Sequence, residues 1–284
     1  MSTITAPSGR DKVAAVHDQL IAQMDQLITS QDWEQFLRLA ARFHHYSSNN
    51  CLLILAQRPV ATVVASFTAW RAMGRSIRKG ERGISILAPC RSRVEGTEHA
   101  SAADASSWVL KGFRVVHVFD ISQTEGEPLE RHDVAVLLEG AAPAGMWDAV
   151  ATLVERDGYS LRRRDCGEAN GCTDRTAATV IVAPQLSEAA AAKTLVHELA
   201  HVRQTDDHLR TISRALGEVE AESVAFIVCH AFGLASAPYS IGYVAGWAAG
   251  DLDVVKRTAA WSVATAHRII EQAYELLATP TPAQ

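Results

Sequence analysis

The residues best suited to chemistry form the run His197-Glu198-Leu199-Ala200-His201. On a helix, side chains four apart project from one face, one turn above the other, so both imidazoles can reach one ion. Two histidines at that spacing suit Zn²⁺, and Glu198, offset but close by, stands where a general base for an attacking water belongs. The flanks predict a helix. Ser187 is a good N-cap, Glu188 suits the positive helix end, and Ala189 to Ala192 are strong helix formers. Leu195, Val196, Leu199, Ala200 and Val202 make the stretch apolar apart from its three polar residues, which predicts burial. Burying His, Glu and His together costs free energy unless something satisfies them, and a metal does so.

A catalytic zinc site needs a third protein ligand. A second helix, expected over about 212–232 and closed by Gly233, offers Glu218, Glu220 and Glu222. Glu218 and Glu222 are i,i+4 and share a face, whereas Glu220 alone reads as part of a solvated face. The expected ligand is Glu218, with Glu222 orienting a metal-bound histidine. The swapped assignment, or Glu220 as ligand, is the alternative. The predicted reaction is peptide-bond hydrolysis by water on zinc, with Glu198 accepting the proton and returning it to the leaving amine. His208, on a short polar stretch, reads as solvent-exposed, and Tyr239 or Tyr243 is a candidate to assist an oxyanion.

The rest of the chain must position this site. Its 284 residues are enough for two domains, and 48% hydrophobic, 21% charged residues with net charge −5 are ordinarily globular. No run of about 18 apolar residues predicts a membrane span. The first residues lack an apolar signal region, which predicts a cytoplasmic protein. Five cysteines (51, 90, 166, 172 and 229) are odd in number and scattered, which fits a reduced compartment. Cys166 and Cys172 are near enough to pair under oxidation but read as free thiols.

Helices are expected over 12–29, from about Asp32, over 51–57 and over 66–73, then strands at 84–88 and 113–121 flanking a small, polar excursion at 94–108. The adjacent His44 and His45 read as packing or surface residues. A Gly- and Pro-containing linker near 123–142 separates this half from a second. There, a helix is expected over 146–157, strands at 159–162 and 177–183, then the motif helix, the acidic helix and a long helix over 253–277. Residues 170–174 are expected to lead into the second strand and border the cleft, and the tail 280–284 reads as disordered.

Between Arg71 and Arg93 there are seven Arg or Lys and one acid, Glu81. Arg75, Arg78, Lys79 and Arg82 could neutralise phosphates while Trp70 stacks on a base.

Four N-terminal features in sequence, Tyr46-Ser-x-x-Asn50, Trp70, Ile77-Arg-Lys-Gly-Glu-Arg-Gly83 and Val118-Phe-Asp-Ile-Ser-Gln-Thr-Glu-Gly126, together resemble the N-terminal domain of ArdC-type antirestriction proteins. The resemblance implies an α+β domain at 1–130 that binds single-stranded DNA, followed by a zincin-like metallopeptidase domain at 143–279, in a helix-rich α+β chain. The C-terminal half also looks like the ImmA/IrrE group of metallopeptidases, whose third ligand comes from a Glu-rich helix. Arg203 departs from the pattern, standing where such helices often carry an apolar residue. The partners implied are single-stranded DNA and a protein substrate. The competing expectation is a protector that coats single strands and carries a structural or vestigial metal site; a third is a protease that cleaves a repressor.

Overall fold

A computed structural model describes residues 9–26, 30–93, 108–128, 141–234 and 251–278. The fold is α+β and divides into two compact units: Met1–Gln23 with Leu52–Leu129, and Met24–Cys51 with Glu130–Gln284.

In the first unit, α1 (Gly9–Gln26) begins the chain and α3 (Ser48–Gln57) enters from the second unit, burying Leu52, Leu53 and Ile54. β1 (Val64–Ser66) runs straight into α4 (Phe67–Ala72), whose N-cap Ser66 accepts from the Ala69 N–H at 3.2 Å. β2 (Arg75–Ile77), β3 (Ile84–Arg93), β4 (Trp108–Asp120) and β5 (Thr124–Gly126) follow. β3 and β4 form a long antiparallel hairpin, paired as far as Arg93 opposite Trp108, with a bulge at Cys90/Arg91. β1 joins the other edge of β4, in the order β1-β4-β3, and β2 pairs with β5. The excursion at 94–107 lies outside the described residues. The basic stretch 74–83 contains β2.

In the second unit, α2 (Ser30–Arg42) is amphipathic and buries Trp33, Phe36, Leu37 and Ala40. It packs against α8 (Arg214–Ala231). Trp33 Nε1 donates to Ser223 Oγ at 3.2 Å, Arg38 donates to His230 Nε2 at 2.8 Å, and the Arg38 guanidinium lies 5.4 Å from the centre of the Phe226 ring. Sequence placed residues 1–130 in one domain. By packing, Met24–Cys51 join the C-terminal residues, because the apolar face of α2 is covered by a helix about 190 positions later.

The remaining elements of this unit build a three-layer scaffold for the motif. α5 (Met146–Arg156) precedes β6 (Ser160–Arg163), β7 (Gly171–Asp174) and β8 (Thr179–Val182). The sheet order is β6-β8-β7, with β6 parallel and β7 antiparallel to β8. The run Thr-Val-Ile-Val of β8 is buried throughout, as an unbroken apolar run in a central strand should be. Residues 170–174 lead into β8 as expected, but Gly171–Asp174 do so as a strand of their own, the edge strand β7. α6 (Glu188–Arg203), the one-turn α7 (Asp206–Leu209), α8 and α9 (Leu252–Ala278) complete the unit. α8 packs against both α6 and α9. Tyr239, Tyr243 and the tail 280–284 lie outside the described residues.

A buried and a half-buried histidine are expected to make this unit acid-sensitive. His267 is 8% exposed and donates from Nε2 to the Ala40 carbonyl at 2.9 Å. Burial lowers its pKa to about 4 against that hydrogen bond, with His44 and His45 adding to the depression. Burial and then Arg38 lower His230 to about 4 as well. An unfolded imidazole takes its proton near pH 6.5, so between about 6.5 and 4 these two positions bind more protons in the unfolded chain than in the folded one. Their contribution to stability falls as pH falls through that window. The expected result is a melting temperature that declines from pH 7 to 4.5, with His267→Gln declining less because it lacks a contribution on the order of 2 kcal/mol. Parallel declines in the two proteins would remove His267 as a cause.

Candidate metal centre

The Ser187 hydroxyl caps α6 by accepting from the Ala190 N–H at 3.3 Å, and the alanine run carries the helix to its motif. α6 buries Leu195, Val196, Leu199 and Ala200 completely, leaving His197 and His201 half-buried at a cleft of about 660 Å³. Their rings stand nearly perpendicular, with centroids 4.8 Å apart. His197 Nε2 lies 3.1 Å from His201 Nε2, and Glu218 Oε2 lies 3.4 Å from the first and 3.5 Å from the second. Three ligands held 2.0–2.1 Å from one tetrahedral ion would be about 3.3 Å apart. The triangle made by these three atoms therefore fits one such ion, and His197, His201 and Glu218 could hold it.

The outer face of each imidazole is also occupied. His197 Nδ1 faces Glu222 Oε2 at 3.4 Å, and the other Glu222 oxygen accepts from Lys193 at 2.6 Å. His201 Nδ1 meets Gln204 Oε1 at 2.9 Å. Burial alone would lower the His197 pKa, but hydrogen bonds to Glu218 and Glu222 raise it to about 9. Its contacts with His197 and then His201 hold the Glu218 carboxyl well below the usual range. Burial opposes ionisation of Glu222, and His197 and Lys193 overcome it.

Glu198 is 5% exposed at the same cleft, and burial raises its pKa against the pull of Thr173, His197 and His201. Thr173 Oγ1, on edge strand β7, donates to Glu198 Oε2 at 2.7 Å. Two residues earlier the strand passes so close that a Cβ on Gly171 would lie 2.9 Å from Glu198 Oε1 and 2.6 Å from Thr194. Gly171 is thus required by close approach. The arrangement offers a buried carboxylate of raised basicity beside a three-atom ligand set, which suits proton transfer at a bound water.

The structure separates the three glutamates by position. Glu218 is on the inner side of the imidazoles and Glu222 behind His197. Glu220, read as solvated, is 1% exposed and accepts from Gln204 at 3.1 Å and from His208 Nε2 at 2.7 Å. His208, read as exposed, is half-buried by that contact and by Trp261, which stacks on it at 5.0 Å. Arg203 ion-pairs with Asp157 at 2.9 Å and donates to Gln272 at 2.8 Å, so the end of α6 is tied down by polar contacts. Sequence reasoning placed Thr173 only within a stretch bordering the cleft and missed Lys193 and Gln204. Of the two missed, Gln204 carried a signal, three residues after His201 on the same helical face.

In the first unit, two residues expected to meet nucleic acid are structural. Trp70 is fully buried and donates from Nε1 to the Phe119 carbonyl at 2.8 Å, so its ring has no face free for a base. Arg75 is 8% exposed, and its guanidinium is taken up by Thr124 and the carbonyls of Gly126 and Glu127. Arg78, Lys79 and Arg82 are exposed, with Arg78 paired to Glu81 at 2.7 Å. Beneath them Gln123, 1% exposed, donates to Glu81 at 3.0 Å and to the Arg82 carbonyl at 2.8 Å. Asp120, also 1% exposed, accepts from the Thr62, Val63 and Ser122 N–H groups. The run Asp120 to Thr124 is therefore the scaffold that shapes the basic segment.

Residues 10–120 match the family described as the N-terminal domain of anti-restriction factor ArdC. The metal-free crystal structure of the antirestriction ArdC protein from plasmid R388 aligns with TM-score 0.54 and 21% identity, over 81% of this chain and 86% of that one. Its Mn(II)-bound structure aligns with TM-score 0.53 and 21% identity, over 94% and 98%. An uncharacterized protein of Bacillus anthracis is 21% identical over 87% of this chain and 48% of its own length. The chain thus spans about half the length of that curated relative. It is ArdC-like in its N-terminal domain and in its fold.

The burial of Trp70 sets a test. Trp70→Ala is expected to destabilise the first unit by about 3–5 kcal/mol, seen as earlier loss of structure in urea. A variant as stable as the parent that has lost only nucleic-acid binding would return the ring to the surface.

Proposed function

We propose that this ArdC-like chain is a zinc-dependent metallopeptidase joined to a single-stranded-DNA-binding domain, acting in antirestriction. The observation that carries the enzymatic half is the ligand triangle of His197, His201 and Glu218 with Glu198 beside it. The Mn(II)-bound R388 ArdC structure supports a divalent ion, and a ligand set of two imidazoles and one carboxylate with an open position favours zinc. Such an ion, when bound, polarises a carbonyl and makes water more acidic.

The protein's own groups then divide the work. Glu198 accepts the proton of the attacking water and delivers it to the departing amine. Thr173 holds the Glu198 carboxylate in place from the edge strand. β7 has one unpaired edge within its sheet, where an extended peptide can add as a further strand. Glu222, itself held by Lys193, keeps His197 turned inward. Residues 1–130 would serve as the DNA-binding domain and 143–279 as the peptidase. The site of action proposed is the cytoplasm, where cysteines stay reduced; all five are free here.

Metal content tests the centre. One zinc per parent chain, lost in His197→Ala and in Glu218→Ala, is expected. Glu198→Gln should retain the metal and lose peptidase activity by a factor of 100 or more, on the order of what positioned bases supply. Zinc-loaded parent protein that cleaves no peptide in a broad substrate library, while still binding DNA, would leave the protector reading standing instead.

DNA binding is tested on the exposed basic residues. Lys79→Glu with Arg82→Glu should weaken binding to a single strand and lower the slope of log affinity against log salt by about 1.4 for two phosphates. An unchanged slope would remove this segment from the interface.

A further inference from the structure

The geometry points to Gln204 as the positioning residue that selects the metal-binding tautomer of His201. Gln204 is 1% exposed and caps the C-terminus of α6. Its carboxamide has two different ends, and both are committed. Nε2 donates to the Gly217 carbonyl at 2.8 Å and to Glu220 Oε2 at 3.1 Å. A backbone carbonyl can only accept, so the NH₂ end must face Gly217. The carbonyl end, Oε1, is thereby left facing His201 Nδ1 at 2.9 Å. Oε1 can only accept, so Nδ1 must carry the proton. The lone pair of His201 is then forced onto Nε2, the nitrogen that faces His197 and Glu218.

The same side chain ties the two ligand-bearing helices together. Gly217 immediately precedes Glu218 on α8, so one amide fixes the tautomer of a ligand on α6 and docks the turn that carries the ligand on α8. Glu220 holds the second amide hydrogen and is held in turn by His208, which stacks on Trp261 of α9. The three-residue chain Gln204, Glu220 and His208 thus anchors the centre from behind. His197 has no counterpart to this amide, since a carboxylate neutralised by Lys193 backs it.

The affinity arm of the test rests on the metal reading above; the tautomer arm does not. Full-length protein labelled with ¹⁵N-histidine and stripped of metal is observed in a long-range proton–nitrogen spectrum at pH 8.5. The parent should show His201 as the Nδ1–H tautomer; an Nε2–H tautomer there overturns the proposal without any variant. Gln204→Met keeps the volume and removes both amide ends, and should lose the Nδ1–H signature. Gln204→Glu keeps an acceptor toward His201 and should retain it. Titration with Mn²⁺ alone should show affinity 10- to 100-fold weaker in Gln204→Met than in the parent. Affinity and tautomer both unchanged in Gln204→Met, or affinity lost with the tautomer intact, would each overturn the role. A parent that binds no Mn²⁺ would instead count against the metal reading, and the spectra alone would decide the fate of Gln204.

Discussion

The C-terminal unit depends on one constraint: two imidazole nitrogens and a carboxylate oxygen converge within 3.5 Å of one another at a half-buried cleft. Polar groups withdrawn from water cost free energy unless their hydrogen-bonding capacity is met. The neighbouring packing serves that requirement. α6 lies against α8 so that Glu218 can reach across, and the outer nitrogen of each ring is met by a fixed acceptor, Glu222 or Gln204. Glu222 accepts in turn from Lys193, and the amide end of Gln204 donates to the Gly217 carbonyl. The apolar residues of α6 and α8 contribute the burial that stabilises the pair, and the polar residues determine which rotation of each helix is compatible with it.

The sheet serves the same centre from the other side. A central strand buried at every position, β8, fixes β7 at the edge, and β7 runs over Glu198 closely enough to require glycine at 171. Thr173 then meets the carboxylate. A carboxylate that is both buried and held is a stronger base than one in water, because burial penalises its charged form. Strand, helix and pKa direction are therefore one arrangement.

What the sequence revealed followed the range of the interactions involved. The motif helix was legible because its N-cap, its alanine run and its i,i+4 histidines are all local. Glu218 and Glu222 were separable from Glu220 by helical periodicity, but the fate of Glu220 was not: its partners, Gln204 and His208, are 16 and 12 residues away and reach it only through tertiary packing. Trp70 and Arg75 misled for a similar reason. A tryptophan and an arginine in a basic stretch suit a nucleic-acid surface by composition, yet Phe119 and Thr124, more than 40 residues on, draw both into the structure. The grouping of α2 with α8 could not be read at all from local pattern, because an amphipathic face does not name the helix that covers it.

Charge explains why the two histidines are backed differently. Glu222 adds a negative charge behind His197, and Lys193 at 2.6 Å cancels it locally. Gln204 adds none behind His201, and the next carboxylate, Glu220, is one hydrogen bond further away. With Glu218 as the carboxylate on the inner face, the ligand set carries a single formal negative charge toward a divalent ion. On the proposed reading a divalent ion held there would stay net positive and would favour polarisation of a bound carbonyl over neutral shielding of the ion. A second uncompensated carboxylate behind His201 would strengthen hold on the metal at the expense of that polarising charge. The neutral amide would set the imidazole without reducing that charge, so on the proposed reading glutamine at 204 serves the chemistry of the centre as well as its packing.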